Sequence, residues 1–134
     1  MDPEAAPTDP EQPPVPPGPS SGAALRRYVA ALDARDWHDL AACLAPGFEA
    51  LLVHTGERFD ADAQVAFNRD YPGAWRVTLQ DVVADGDRAA GRARVSDGGS
   101  TFHVALFATV AAGALVELVE VWTEAEQPPP DRST

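Results

Sequence analysis

A chain of 134 residues with 21 acids, 10 arginines and no lysine carries a formal net charge of −11. That balance excludes the basic footprint that nucleic-acid phosphates and anionic membrane surfaces require. Cys43 is the sole cysteine, so an internal disulfide and a thiolate metal cluster are excluded too. No apolar run approaches the roughly 20 residues of a membrane helix, and the acidic, proline-rich start does not read as a signal peptide. A reducing cytoplasm is the expected setting. Arginine as the only strong base fits a GC-rich bacterial genome.

Residues 1–22 hold eight of the 13 prolines, four acids and no base. Such a stretch cannot bury enough surface to offset its ordering entropy and is expected to be disordered. The same holds for residues 126–134. Residues 23–125 are left as one domain, large enough to build a core.

Ser20 or Ser21 can cap a helix from Ala23 to about Ala34. Its stripe is Leu25, Val29 and Leu32, with Tyr28 at the border. Asp36 caps a second helix, Trp37 to Leu44, with Trp37, Leu40, Ala41 and Leu44 at helical spacing and Pro46-Gly47 as its stop. Phe48 to His54 reads as a strand. Asp60 caps a third helix, Ala61 to about Asp70, with Ala63, Ala66, Phe67 and Asp70 along one side.

Four strands follow. In Trp75 to Ala84 the residues Trp75, Val77, Leu79 and Val83 share a face. A three-residue turn at Asp85-Gly86-Asp87 pairs Leu79 with Ala93 and Val83 with Ala89, whereas a two-residue turn sets Leu79 against Arg92. The apolar match favours the first. Asp97-Gly98-Gly99 turns into Thr101 to Val110, and Ala112-Gly113 into Ala114 to Thr123. These last two strands are largely apolar on both faces. Helices can cover one face, and a second subunit is the expected cover for the other.

This order of helices and strands resembles the SnoaL-like branch of the nuclear transport factor 2-like superfamily. The resemblance is carried by Tyr28-Val-Ala-Ala-Leu-Asp-Ala-Arg-Asp-Trp37, Tyr71-Pro-Gly-Ala-Trp75, Asp85-Gly86-Asp87 and Gly113-Ala-Leu-Val-Glu-Leu-Val-Glu-Val-Trp122. It implies an α+β, cystatin-like cone: a curved, mostly antiparallel sheet packed on about three N-terminal helices around a deep pocket, often dimerised through the sheet. It also implies a small hydrophobic ligand and no cofactor. Glu120 falls where SnoaL-like cyclases carry a pocket aspartate. Ala112 replaces the usual acid or asparagine of the last hairpin, and Thr123 replaces an aspartate sometimes found after the final tryptophan.

Glu120 and His103 are the candidate catalytic residues. A two-residue Ala112-Gly113 turn places His103 opposite Trp122 and diagonal to Glu120 on one face. A carboxylate oriented by an imidazole can take a proton beside a carbonyl. Tyr28, Trp37, Phe67, Tyr71, Trp75, Phe107 and Trp122 are the candidate pocket lining. Two faces compete for the interior: one bearing His103, Glu120 and Trp122, the other Trp75, Phe102 and Val104. Three scattered histidines offer no metal-ligand spacing, so no metal is expected. The function expected is a cofactor-independent isomerase, cyclase or hydratase of a small apolar substrate, or else a non-catalytic ligand-binding or dimerisation module.

Overall fold

Ser20 opens the first helix with its side chain: the hydroxyl accepts the Ala23 N–H at 3.1 Å. Helix α1 is Ser21–Ala34 in the computed structural model, which describes residues 20–133. The disorder expected for residues 1–19 and Thr134 lies outside the described residues. Ser21 and Gly22 are buried in α1, and the Ser21 hydroxyl donates to the Arg88 carbonyl at 3.0 Å. Helix α1 ends as Arg35 turns left-handed at φ 57°, and the Asp36 N–H closes back on the Ala31 carbonyl at 3.0 Å.

Helix α2 is Trp37–Ala42, and β1 is Leu44–Leu52. Pro46-Gly47 therefore sits inside a strand and does not stop a helix. Gly47 takes φ 81° and the pairing slips between Leu44 and Glu49. Tertiary pairing decides this: Leu44 stands opposite Leu115, and the Leu115 N–H reaches the Cys43 carbonyl at 2.8 Å. Strand β2, Glu57–Asp60, has only Phe59 as an apolar residue, too little for a period-two signal. Helix α3 is Ala61–Asp70, as expected, but it is rotated. Gln64 is buried, Ala61 and Val65 pack on the core, and Phe67 is 38% exposed.

The remaining strands are β3 (Arg76–Asp85), β4 (Arg88–Ser96), β5 (Thr101–Ala111) and β6 (Ala114–Trp122). One six-stranded sheet runs in the order β2-β1-β6-β5-β4-β3, with β1 and β6 parallel and every other pair antiparallel. Its edges, β2 and β3, do not meet, so the cone stays open. None of the described helices is long and apolar enough to cross a membrane.

Two bulges set which side chains face inward. In the β3–β4 hairpin Asp85 pairs with Arg88, so the turn has two residues, not three. The register then slips between Leu79 and Asp81, which restores Leu79 opposite Ala93 and Val77 opposite Val95. The apolar match is thus met by a bulge at Gln80 instead of by turn length, and Val83 faces Ala90. Gly91 lies beside this bulge. A Cβ there would stand 3.0 Å from the Asp81 carbonyl oxygen and 3.2 Å from a Leu25 methyl, so glycine lets α1 settle on the sheet.

In the β5–β6 hairpin Ala112 and Gly113 are both left-handed, φ 52° and 80°. That is the two-residue turn whose twist matches the strands. Ala111 faces Ala114 and Val110 faces Leu115, but Thr109 faces Glu117. Val116 is the extra residue. From there to Trp122 the strand is one residue out of phase with a regular hairpin, and every side chain changes face.

Candidate ligand cavity and its buried carboxylate

The slip at Val116 puts Glu120 opposite Leu106 and Trp122 opposite Val104. Glu120, Trp122, Phe102 and Val104 therefore share the concave face, and the two competing sides of the sequence reading merge. Helices α1 and α3 cover this face only in part, leaving a cavity of about 220 Å³. Its lining is mostly apolar, with Tyr28 and Glu120 deep within it and Phe67, Tyr71, Arg35 and His54 toward solvent.

Glu120 is 6% exposed and Tyr28 1%. The Trp122 indole N–H donates to Glu120 Oε1 at 2.9 Å, and the Gln64 amide donates to Oε2 at 2.9 Å. The same Gln64 nitrogen donates to the Tyr28 hydroxyl oxygen at 2.9 Å. Three elements distant in sequence thus meet in one chain of hydrogen bonds. Burial raises the Glu120 pKa, and the bonds from Gln64 and Trp122 and the nearby charge of His54 only partly offset it. The Tyr28 phenol is held well above its ordinary range, chiefly by burial and then by the Glu120 charge.

Gln64 Oε1 is buried with no donor. The Tyr28 proton has no protein acceptor among these bonds and is free to be donated. Rotating the Gln64 amide would turn its oxygen toward Tyr28 and toward a protonated Glu120. The network can therefore satisfy either protonation state of the carboxyl at the cost of a side-chain flip.

The cavity mouth is aromatic. Phe59, Phe67, Tyr71, Trp75 and Phe102 follow one another with ring centroids 5.0, 5.6, 6.3 and 5.7 Å apart. Trp75 also anchors the turn before β3, its indole N–H donating to the Pro72 carbonyl at 2.8 Å. Asp33 near the end of α1 accepts the Val77 N–H at 2.8 Å and grips Arg76 through two bonds of 3.0 and 3.1 Å. That ties the helix to the first turn of β3 beside the mouth.

Of the candidate residues, Tyr28, Trp37, Phe67, Tyr71, Trp75, Trp122 and Glu120 line the cavity. His103 and Phe107 do not. Both project from the convex face, where His103 Nε2 lies 2.9 Å from Glu126 and Phe107 is 41% exposed. The diagonal pairing of His103 with Glu120 assumed a hairpin without a bulge, and the Val116 slip separates them. Sequence reasoning missed Gln64. The signal was present at Ala61, Gln64, Val65 and Asn68, spaced as a helical stripe, but two polar members masked it.

Residues 25–118 match the SnoaL-like domain family. The chain belongs to that family. Among solved structures, the SnoaL-like chain is similar to a protein named as a ketosteroid isomerase from Kribbella flavida, with 33% identity over 84% of each chain and a TM-score of 0.75. A protein named as a polyketide cyclase from Streptomyces antibioticus shares 18% identity over 76% of this chain and 91% of its own, with a TM-score of 0.66. An LEH-like epoxide hydrolase of M. tuberculosis shares 17% identity over 77% of this chain and 82% of its own, with a TM-score of 0.66. The last two likenesses concern the SnoaL-like fold alone. No curated protein matches the sequence. Among the described residues, no group of three His, Cys, Asp or Glu side chains is placed to hold a metal ion.

Proposed function

We propose that this SnoaL-like protein binds a small, largely apolar molecule in the concave cavity and isomerises, cyclises or hydrates it, with Glu120 as general base. One observation carries the reading: a carboxylate 6% exposed, with raised proton affinity, lies deep in an apolar cavity of about 220 Å³. Glu120 takes a proton from the carbon beside a substrate carbonyl, and the electron pair passes to the carbonyl oxygen. Tyr28 supplies a neutral O–H to that oxygen, since burial keeps the phenol protonated. Gln64 orients both groups. The names of the similar isomerase, cyclase and hydrolase structures are consistent with small-molecule chemistry in this fold.

Native mass spectrometry of the protein purified from its producing cells should reveal a retained small molecule. Glu120→Gln should abolish turnover of that molecule while leaving its binding within a few-fold. Unchanged turnover would remove Glu120 as the base.

A second reading concerns assembly. Leu51, Val119, Phe107, Ala90 and Val83 form one continuous apolar row across five strands of the convex face. That row supports the homodimer expected from the sequence, in which a second copy would cover it. Sedimentation that returns a monomer at micromolar concentration would remove it. The lone buried thiol of Cys43 fits a reducing, cytoplasmic setting.

A further inference from the structure

We propose that Arg35 selects ligands with an anionic end, a carboxylate above all, at the mouth of the cavity. This rests on reading the cavity as a small-molecule site and adds the chemical class of its occupant. The ligand has a flat apolar body that fills the aromatic interior and one acidic group left at the rim.

The backbone gives the first argument. Arg35 holds the residue position just past α1 in the left-handed region, φ 57° and ψ 36°. Glycine fills that position without a Cβ penalty, and a residue with a Cβ adopts it at a steric cost. An arginine here works against the stability of the turn, so its side chain is the feature to explain.

The side chain gives the second. Arg35 lines the cavity, and its guanidinium lies 5.4 Å from the Trp37 ring centroid. That contact holds the cation beside the mouth, and a guanidinium offers a fork of N–H donors that a carboxylate matches.

The charges give the third. Arg27, Arg58, Arg69 and Arg76 each pair with a carboxylate. Arg35 pairs with none among the described residues, although Asp36 is its neighbour and Asp39 lies close in sequence. Among the described residues Glu120 is the only carboxylate lining the cavity, and Gln64 and Trp122 already hold it. His54 lines the same mouth and adds a ring nitrogen that can donate to an anion. Arg26, Arg88, Arg92, Arg94 and Arg132 also lack a carboxylate partner, but among the described arginines only Arg35 lines this cavity, so the rim holds a cationic group with no internal partner.

Calorimetric titration of the full chain with 2-naphthoate and with 2-naphthamide tests this, since the two probes share a shape and differ in charge. At neutral pH and low salt, naphthoate should bind about 10-fold more tightly than naphthamide, the effect of one charge-assisted pair. Arg35→Met keeps an apolar stem over Trp37 and should erase that preference while leaving naphthamide within about 2-fold. Arg35→Gly should also erase it, and should melt higher than the parent because the backbone strain is gone. Ala112→Gly relieves the same strain in a turn outside the cavity lining and should leave both affinities unchanged. Equal binding of the two probes by the parent would overturn the role of Arg35 while leaving the cavity reading intact. So would equal losses for both probes in Arg35→Met. Binding of neither probe would overturn the cavity reading and this inference with it.

Discussion

His103 and Glu120 stand on adjacent strands of one hairpin, yet they occupy opposite environments. On the convex face His103 meets Glu126 in water, with side chains 39% and 57% exposed. On the concave face Glu120 is shut away with Gln64, Trp122 and Tyr28. The apolar content of the two faces does not explain the difference, because both carry Val, Leu and Phe. What differs is cover: helices α1 and α3 lie over one face only. A carboxylate gains a shifted proton affinity where low dielectric surrounds it, and an exposed ion pair gains little. The chemistry available to this fold therefore follows from which face receives the acid, and one extra residue, Val116, determines that.

Inserting one alanine between Leu118 and Val119 should break the comparison most severely. With no further bulge, the insertion would send Glu120 and Trp122 outward and turn Val119 and Val121 into the core. A loss of roughly 4 kcal/mol or more, or failure to fold, is expected in a circular-dichroism melt. A cooperative melt close to that of the parent would show that strand register does not hold the face assignment.

Glu120→Gln sharpens the comparison on the inner side. The folded pKa of Glu120 is raised above its unfolded value, so the proton favours the folded state. Stability from this group is fully present below the unfolded pKa, about 4 for a free glutamate, and is lost as pH rises through the raised folded value. The glutamine variant, neutral throughout, should melt higher than the parent at alkaline pH, by about 1–2 kcal/mol. The gap should close toward the acidic end. Parallel stability curves across pH would contradict the burial account.

His103→Ala probes the outer side and should do least. Its pair with Glu126 is exposed, so the change should stay within about 0.5 kcal/mol and shrink with added salt. Naphthamide binding should not move. A loss of several-fold would mean that the convex face communicates with the cavity.

Much of the architecture was legible because it rests on local signals. Ser20, Asp36 and Asp60 cap helices where their side chains suggest, each bonding a backbone N–H three residues on. The turns at Gly86 and Gly113 mark their hairpins. The aromatic lining of the cavity was largely legible as well. The site itself was not, because two strand registers depend on bulges at Gln80 and Val116 that no residue type announces. A bulge is chosen by the fit of the whole sheet, and a one-residue slip reverses every later side chain. The same tertiary priority turned Pro46-Gly47 from a helix stop into a kink within β1. It also rotated α3 so that Gln64 is buried and Phe67 stands at the cavity mouth.

The sheet order carries a consequence for how the molecule is made. Strand β6 is the last to be synthesised, yet it lies between β1 and β5 in the finished sheet. Until residue 122 has emerged, β1 and β5 have no neighbour on their inner edges. The chain is then two unfinished half-sheets with open hydrogen-bonding rims. Closure waits for one parallel and one antiparallel ladder to zip around the same strand, a step of high sequence separation and correspondingly slow kinetics. Glu120 travels on that strand, so the catalytic candidate and the structural keystone arrive together. A nascent or truncated chain that lacks the keystone would expose sticky edges and possess no cavity floor. For this protein, acquiring a site and escaping aggregation are one event.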